Sequence, residues 1–169
     1  MKKGFLTLAF LALPTLCGSG EYTRKIKTES IVENRGGCYT VKQRSALSKR
    51  IEQFVRQHGV DPNLAVEMAE LLGTLENGKA LAAIAATESG FDIKAEGWVG
   101  EIGAYQVRPE FWGCPGDTFK SQTEQANSIL EELLKASNGD LESALEKYNG
   151  KGQKSRMYAT AVLSLMSSI

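Results

Sequence analysis

One stretch limits the fold more than any other: Leu81-Ala82-Ala83-Ile84-Ala85-Ala86-Thr87-Glu88-Ser89-Gly90-Phe91. Ala, Leu and Ile form helix readily, and a helix that is apolar on most sides must be buried on most sides. A chain carrying such a segment has to wrap other elements around it. The helix ends at Glu88. Gly90 suits the left-handed residue that stops a helix, and Ser89 suits the turn. A carboxylate is an odd choice at that place. It stands at the negative end of the helix dipole, and burial disfavours its charged form. Both effects raise its pKa, which is what a general acid needs at neutral pH. The plainer alternative is a solvated C-terminal residue, because unpaired carboxylates are rarely buried.

The rest of the chain supplies the wrapping. Ser45 caps a helix carrying Leu47, Ile51, Phe54 and Val55 at helical spacing, and Gly59 ends it. Asp61-Pro62 starts a second, with Leu64, Ala65, Met68, Leu71 and Leu72 on one face and Gly73 as its stop. The Glu88 helix begins near Asn77 or Gly78. From Ser121 a further helix presents Ala126, Ile129, Leu130, Leu133 and Leu134, and Asn138-Gly139 closes it. Asp140 caps another, with Leu141, Ala144 and Leu145 inward, running into Tyr148-Asn149-Gly150. A last helix starts at about Ser155 and carries Tyr158, Ala161, Val162, Leu165 and Met166. After Phe91 comes a loop-dense stretch with Gly97, Gly100, Gly103, Gly113 and Gly116 and the aromatics Trp98, Tyr105, Phe111 and Trp112. Flat side chains among polar groups along a groove suit sugar rings; the alternative is that they cover the core beneath the loops. The expected fold class is mainly α, a single helical domain over 45–169 with a long loop or small β region after the Glu88 helix. A chain of 169 residues has room for one such domain with a real core.

The N-terminus follows other rules. Met1-Lys2-Lys3 is basic, Gly4 to Leu16 is almost wholly apolar, and Cys17-Gly18-Ser19-Gly20 is small. That order is the pattern of a secretory leader over 1–20, too short to span a bilayer comfortably. Cys17 raises a lipid anchor as a minority alternative to soluble export, since Pro14-Thr15-Leu16 is a poor lipidation motif. Glu21 to Gly37 is polar, mixed in charge and aperiodic, and residues 21–44 are expected to form an extended arm with a short strand at Tyr39-Thr40-Val41. With the leader removed, Cys38 and Cys114 remain, and an even pair in an exported chain suggests one disulfide. By chain entropy it would contribute about 3–5 kcal/mol. Formal net charge is zero, so nothing sequence-wide points to nucleic acid. His58, the only histidine, ends its helix at the surface and cannot build a zinc site unaided. No Gly-Lys-Ser/Thr phosphate loop occurs, and no metal or other cofactor is expected.

Three segments then fall in order: Glu88-Ser89, Gly103-Ala104-Tyr105-Gln106-Val107 and Lys147-Tyr148-Asn149-Gly150. In these the chain resembles the lysozyme-like lytic transglycosylases, the soluble lytic transglycosylase domain, from roughly Val60 to the C-terminus. The family pattern is a Glu-Ser at a helix end, a Gly-Leu-Met-Gln-like loop and an Ala-Tyr-Asn motif. The resemblance implies a lysozyme-like α+β fold and makes Glu88 the catalytic acid. It makes Ser89 a polar neighbour that helps hold the sugar, and Gln106 a substrate-binding side chain. Tyr148 becomes the hydroxyl that orients Glu88, with Asn149 in the same shell. Tyr105 stands where the family often has Met, implying a different wall of the sugar groove. Lys147 replaces the usual Ala and is expected to point to solvent.

The resemblance also implies a reaction with one carboxylate in place of the two that most glycosidases use. Glu88 would protonate the oxygen between N-acetylmuramic acid and N-acetylglucosamine, then take the proton of the C6 hydroxyl as that oxygen closes onto C1. Asp92, Glu96, Glu101 and Glu110 lie near the groove, and each reads as a solvated loop residue. The implied partner is peptidoglycan in the periplasm, in the service of a secretion, conjugation or pilus apparatus or a phage particle crossing the envelope. A goose-type-like muramidase with the same acid, and a non-catalytic peptidoglycan-binding component, are the alternatives.

Overall fold

The computed structural model describes residues 44–169. The expected leader, the arm up to residue 43, the strand at Tyr39–Val41, Cys17 and Cys38 lie outside the described residues. The described chain is mainly helical. Its elements are α1 (Ala46–Gln57), α2 (Pro62–Leu72), α3 (Gly78–Glu88), α4 (Pro109–Trp112), α5 (Phe119–Lys135), α6 (Leu141–Asn149) and α7 (Gln153–Ser168). Among the described residues, no helix is long and apolar enough to cross a membrane.

The capping residues read from the sequence set the helix starts. Ser45 Oγ accepts the Ser48 amide at 2.9 Å, Asp61 Oδ1 accepts the Asn63 amide at 2.9 Å, and Asp140 accepts the Ser143 amide at 3.0 Å. Each satisfies an amide that the first helical turn leaves unpaired. The fifth helix starts two residues before Ser121. Thr118 is its cap, and Ser121 answers from the third position in a reciprocal capping box. The last helix also starts earlier than Ser155, at Gln153. The four-residue α4 was not foreseen; Pro109 fixes its first φ.

The apolar segment occupies the centre. Ala80 through Ala85 are all buried, and α3 packs against α1, α2, α5 and α7. Alanines on several faces allow these close approaches, because no bulky side chain holds the neighbours off. The remaining pairs, α1 with α2, α2 with α5, α5 with α6 and α6 with α7, complete the shell. Ile51, Phe54, Met68, Leu72, Ile84, Leu130, Leu145 and Val162 fill the core between them. Burying one such side chain is worth about 1.5–3 kcal/mol.

The glycine-rich stretch after α3 holds the small β region. Two isolated antiparallel bridges pair Glu96 with Ile102 and Ile102 with Val107. Ile102 and Val107 exchange both backbone hydrogen bonds, at 2.9 and 3.1 Å. One buried side chain fastens this loop to the helices. Gln122 on α5 accepts the Ala104 amide at 2.8 Å and donates to the carbonyls of Ile93 and Gly116, both at 2.9 Å. Gly103 has φ +79°, and a Cβ there would collide with the Gln122 amide group. Glycine is therefore required by backbone angle and by space together.

Candidate functional site

Glu88 ends α3 at the floor of an open cleft of about 690 Å³. Burial is the main reason its pKa is pushed up to about 7; the nearby Tyr158 hydroxyl works against this, and the negative charge of Glu101 adds to it. The Tyr158 hydroxyl is buried beside the carboxyl and finds no well-formed hydrogen bond to any partner. Its ring lies parallel to that of Tyr148, 6.5 Å away. Together α6 and α7 present two phenols to one carboxyl; burial first, and the Glu88 charge second, raise the pKa of both.

The six expected site residues divide into two groups. Glu88, Gln106, Tyr148 and Asn149 line the same cleft, so three separate segments meet there. Gln106 adopts φ +46°, an uncommon conformation for a side-chain-bearing residue. Its amide nitrogen donates to the carbonyls of Gly103 at 3.0 Å and Ala95 at 3.3 Å. Those bonds turn the carbonyl oxygen of the side chain toward Gly97. Tyr148 stands differently from the expected geometry. It gives its single hydroxyl proton to the Tyr105 carbonyl at 3.0 Å, so toward Glu88 it can only accept. The phenol beside Glu88 whose proton is not given to another group is that of Tyr158, which no motif singled out.

Two residues do not reach the cleft as expected. Tyr105 is fully buried, not a wall of the groove. Its hydroxyl pairs with Thr123 Oγ1 at 2.9 Å and its ring stacks on Phe119. The hydroxyl at mid-core finds a partner on α5, so a Tyr replaces an apolar side chain without leaving a polar atom unpaired. Ser89 gives its hydroxyl to the Ala104 carbonyl at 2.9 Å and does not line the cleft. It ties the end of α3 to the loop.

Three of the four loop aromatics do face the cleft. Trp98, Phe111 and Trp112 line it, and all are exposed, Trp98 completely. They do not cover the core. The Arg108 guanidinium lies 4.7 Å from the centre of the Phe111 ring and is ion-paired with Glu110. Lys147 turns away from Glu88. Its Nζ donates to the Ala136 carbonyl and to Ser137 Oγ, both at 2.8 Å, at the C-terminal end of α5. A cation there meets the negative end of a helix dipole.

His58 is exposed, its Nδ1 2.9 Å from the Phe54 carbonyl, which agrees with a surface histidine at a helix end. Among the described residues, no group of three His, Cys, Asp or Glu side chains could hold a metal ion. Cys114 is disulfide-bonded. Its expected partner, Cys38, lies outside the described residues.

No family model matches the chain, and neither does any curated protein or solved structure.

Proposed function

We propose that this chain is an exported, periplasmic peptidoglycan lytic transglycosylase of the lysozyme-like superfamily. The observation that carries the reading is Glu88, a carboxyl holding its proton to about pH 7 in the floor of a cleft rimmed by exposed aromatics. An acid of that strength is half protonated at neutral pH, which suits it to give a proton and then take one back. Trp98, Phe111 and Trp112 offer flat apolar faces to sugar rings, and Gln106 and Asn149 offer amide groups to their polar edges.

In this reading Glu88 protonates the glycosidic oxygen as the C1–O bond breaks. The bond's electron pair leaves with that oxygen, and the substrate's N-acetyl group stabilises the positive C1. The carboxylate then accepts the proton of the C6 hydroxyl while O6 bonds to C1. The products are a free N-acetylglucosamine end and a 1,6-anhydro-N-acetylmuramic end, with no water consumed. The reaction requires no metal or cofactor. Local opening of the wall for an envelope-crossing apparatus or a phage particle is the setting that a small, exported domain of this kind fits.

Mass spectrometry of muropeptides released from purified peptidoglycan tests the reading, with Glu88→Gln as control. Anhydro-ended products from the native protein and none from the variant are expected. Reducing ends would move the site to a muramidase that delivers water. No release by a folded native protein would favour a binding component.

A further inference from the structure

Glu101 lines the same cleft as Glu88, although in sequence it reads as one more solvated loop carboxylate. Its side chain is held in place. Oε2 accepts the Val99 amide at 3.1 Å, and the Glu101 carbonyl accepts the Gly97 amide at 2.8 Å. The next residue, Ile102, is the one that pairs with both Glu96 and Val107. Gly97 leaves the room: a Cβ there would collide with Glu101 Oε2 and crowd Gln106 Oε1. A loop bridged on both sides, an amide donor and a glycine gap together aim one carboxylate into the cleft.

The charges around it leave that carboxylate unneutralised toward Glu88. The two cations lining the cleft are committed elsewhere: Arg108 to Glu110, and Lys147 to Ala136 and Ser137. From α5 the lining residues are Ile129 and Leu133, both apolar. From α6 and α7 the groups facing Glu88 are the neutral phenols of Tyr148 and Tyr158. From the loop it is Glu101. We propose that Glu101 is a second functional carboxylate of this cleft, a fixed negative charge that keeps the proton on Glu88 until a glycosidic oxygen takes it. Glu101 acts through Glu88 and is a positioning residue for its proton. The same repulsion favours the second half of the reaction, because an ionised Glu88 beside Glu101 regains a proton more readily. This rests on the proposed transglycosylase reading for its use, but not for its test.

Glu101→Gln is the informative variant, because an amide oxygen can still accept the Val99 amide while the charge is gone. Glu101→Asp restores the charge on a shorter arm. The first readout is the titration of Glu88 followed by carboxyl carbon NMR in the full chain, which needs no substrate. The midpoint is expected to move to lower pH in Glu101→Gln and to return toward the native value in Glu101→Asp. An unchanged midpoint in Glu101→Gln, with the fold intact, overturns the proposal. The second readout is the pH profile of glycan cleavage. Its alkaline limb, where the acid is lost, should move to lower pH by the same amount as the NMR midpoint. Activity at pH 8 then falls by a larger factor than activity at pH 5. A uniform loss at all pH values would mean that Glu101 only supports the loop. If the midpoint moves and the native protein cleaves nothing, the charge coupling stands and the transglycosylase reading fails.

Discussion

The cleft beside Glu88 and the groove between α2 and residues 117–120 are nearly equal in size, about 690 and 660 Å³. Their chemistry is inverted. The groove has an apolar floor of Met68, Phe91 and Phe119, with Leu64, Leu71 and Ile93 along its sides. Its charged groups, Glu67, Asp92, Lys94, Asp117 and Lys120, are all exposed at the rim. That is the arrangement the hydrophobic effect produces unaided. In the cleft a carboxyl lies in the floor and Trp98, Phe111 and Trp112 stand in water. Folding alone gives no reason for that order, and it costs stability. Size therefore does not separate the two cavities, whereas the position of the polar and apolar groups does.

The sharpest way to test the comparison is to remove the buried carboxyl. Glu88→Gln should lower cleavage by roughly 10²–10⁴, the range for a lost general acid. It should also stabilise the fold at alkaline pH. Because the folded pKa is raised to about 7 from the ordinary 4.5, the folded state binds the proton more tightly than the unfolded chain does. The native protein thus loses stability as pH rises from about 4.5 to about 7, relative to the variant, by on the order of 3 kcal/mol at most. Below pH 4.5 the two should unfold alike. Denaturant melts at pH 4 and pH 8 check this, and an equal difference at both would mean that Glu88 is not buried as a neutral acid.

Met68→Ala probes the groove in the same terms. Met68 is buried in its floor, and the truncation should cost about 2–5 kcal/mol of stability. Below the lowered melting temperature kcat should be unchanged. A selective loss of kcat would break the distinction between the cavities.

Tyr148→Phe should have a smaller effect, split between the two properties. It takes the donor from the Tyr105 carbonyl, and leaving that buried acceptor unpaired costs about 1–3 kcal/mol. The neighbouring Gln106, held at φ +46°, would lose its support, so part of the cost should appear in kcat. Kinetics paired with melts measure the split. A variant as stable and active as the native protein would show that this bond positions nothing.

How far the sequence reveals this arrangement depends on the range of the interaction. Helix spans follow from periodicity and caps, which are local: Ser45, Asp61 and Asp140 name their own helices. The pKa of Glu88 was also foreseeable, since an apolar helix must be buried and its last residue shares that burial. What a hydroxyl bonds across the fold was not. Tyr148 and Tyr158 sit on different helices with parallel rings, and only packing decides which gives its proton to a backbone carbonyl. Tyr105 misled for the same reason. Its partner Thr123 lies 18 positions on, and nothing local marks that pair. Gln122 left one trace, a polar residue beside Thr123 at the start of an otherwise apolar helical face. Glu101 left none, because its setting comes from a bridged loop and a gap at Gly97.

The smallest expected effect is the most specific to the inverted rim. Trp98 touches water on every side, so Trp98→Ala removes no core contact and should leave the melting temperature unchanged. If the ring serves to stack on a sugar, its loss raises KM for glycan strands by the equivalent of about 0.5–1.5 kcal/mol while kcat holds. Contact made equally in the bound and reacting states appears in KM alone. Trp98→Phe keeps a flat face and should recover part of the loss. Equal KM in Trp98→Ala and the native protein would leave the exposed ring without a saccharide role, and would reduce the contrast between the cavities to the single carboxyl in the floor.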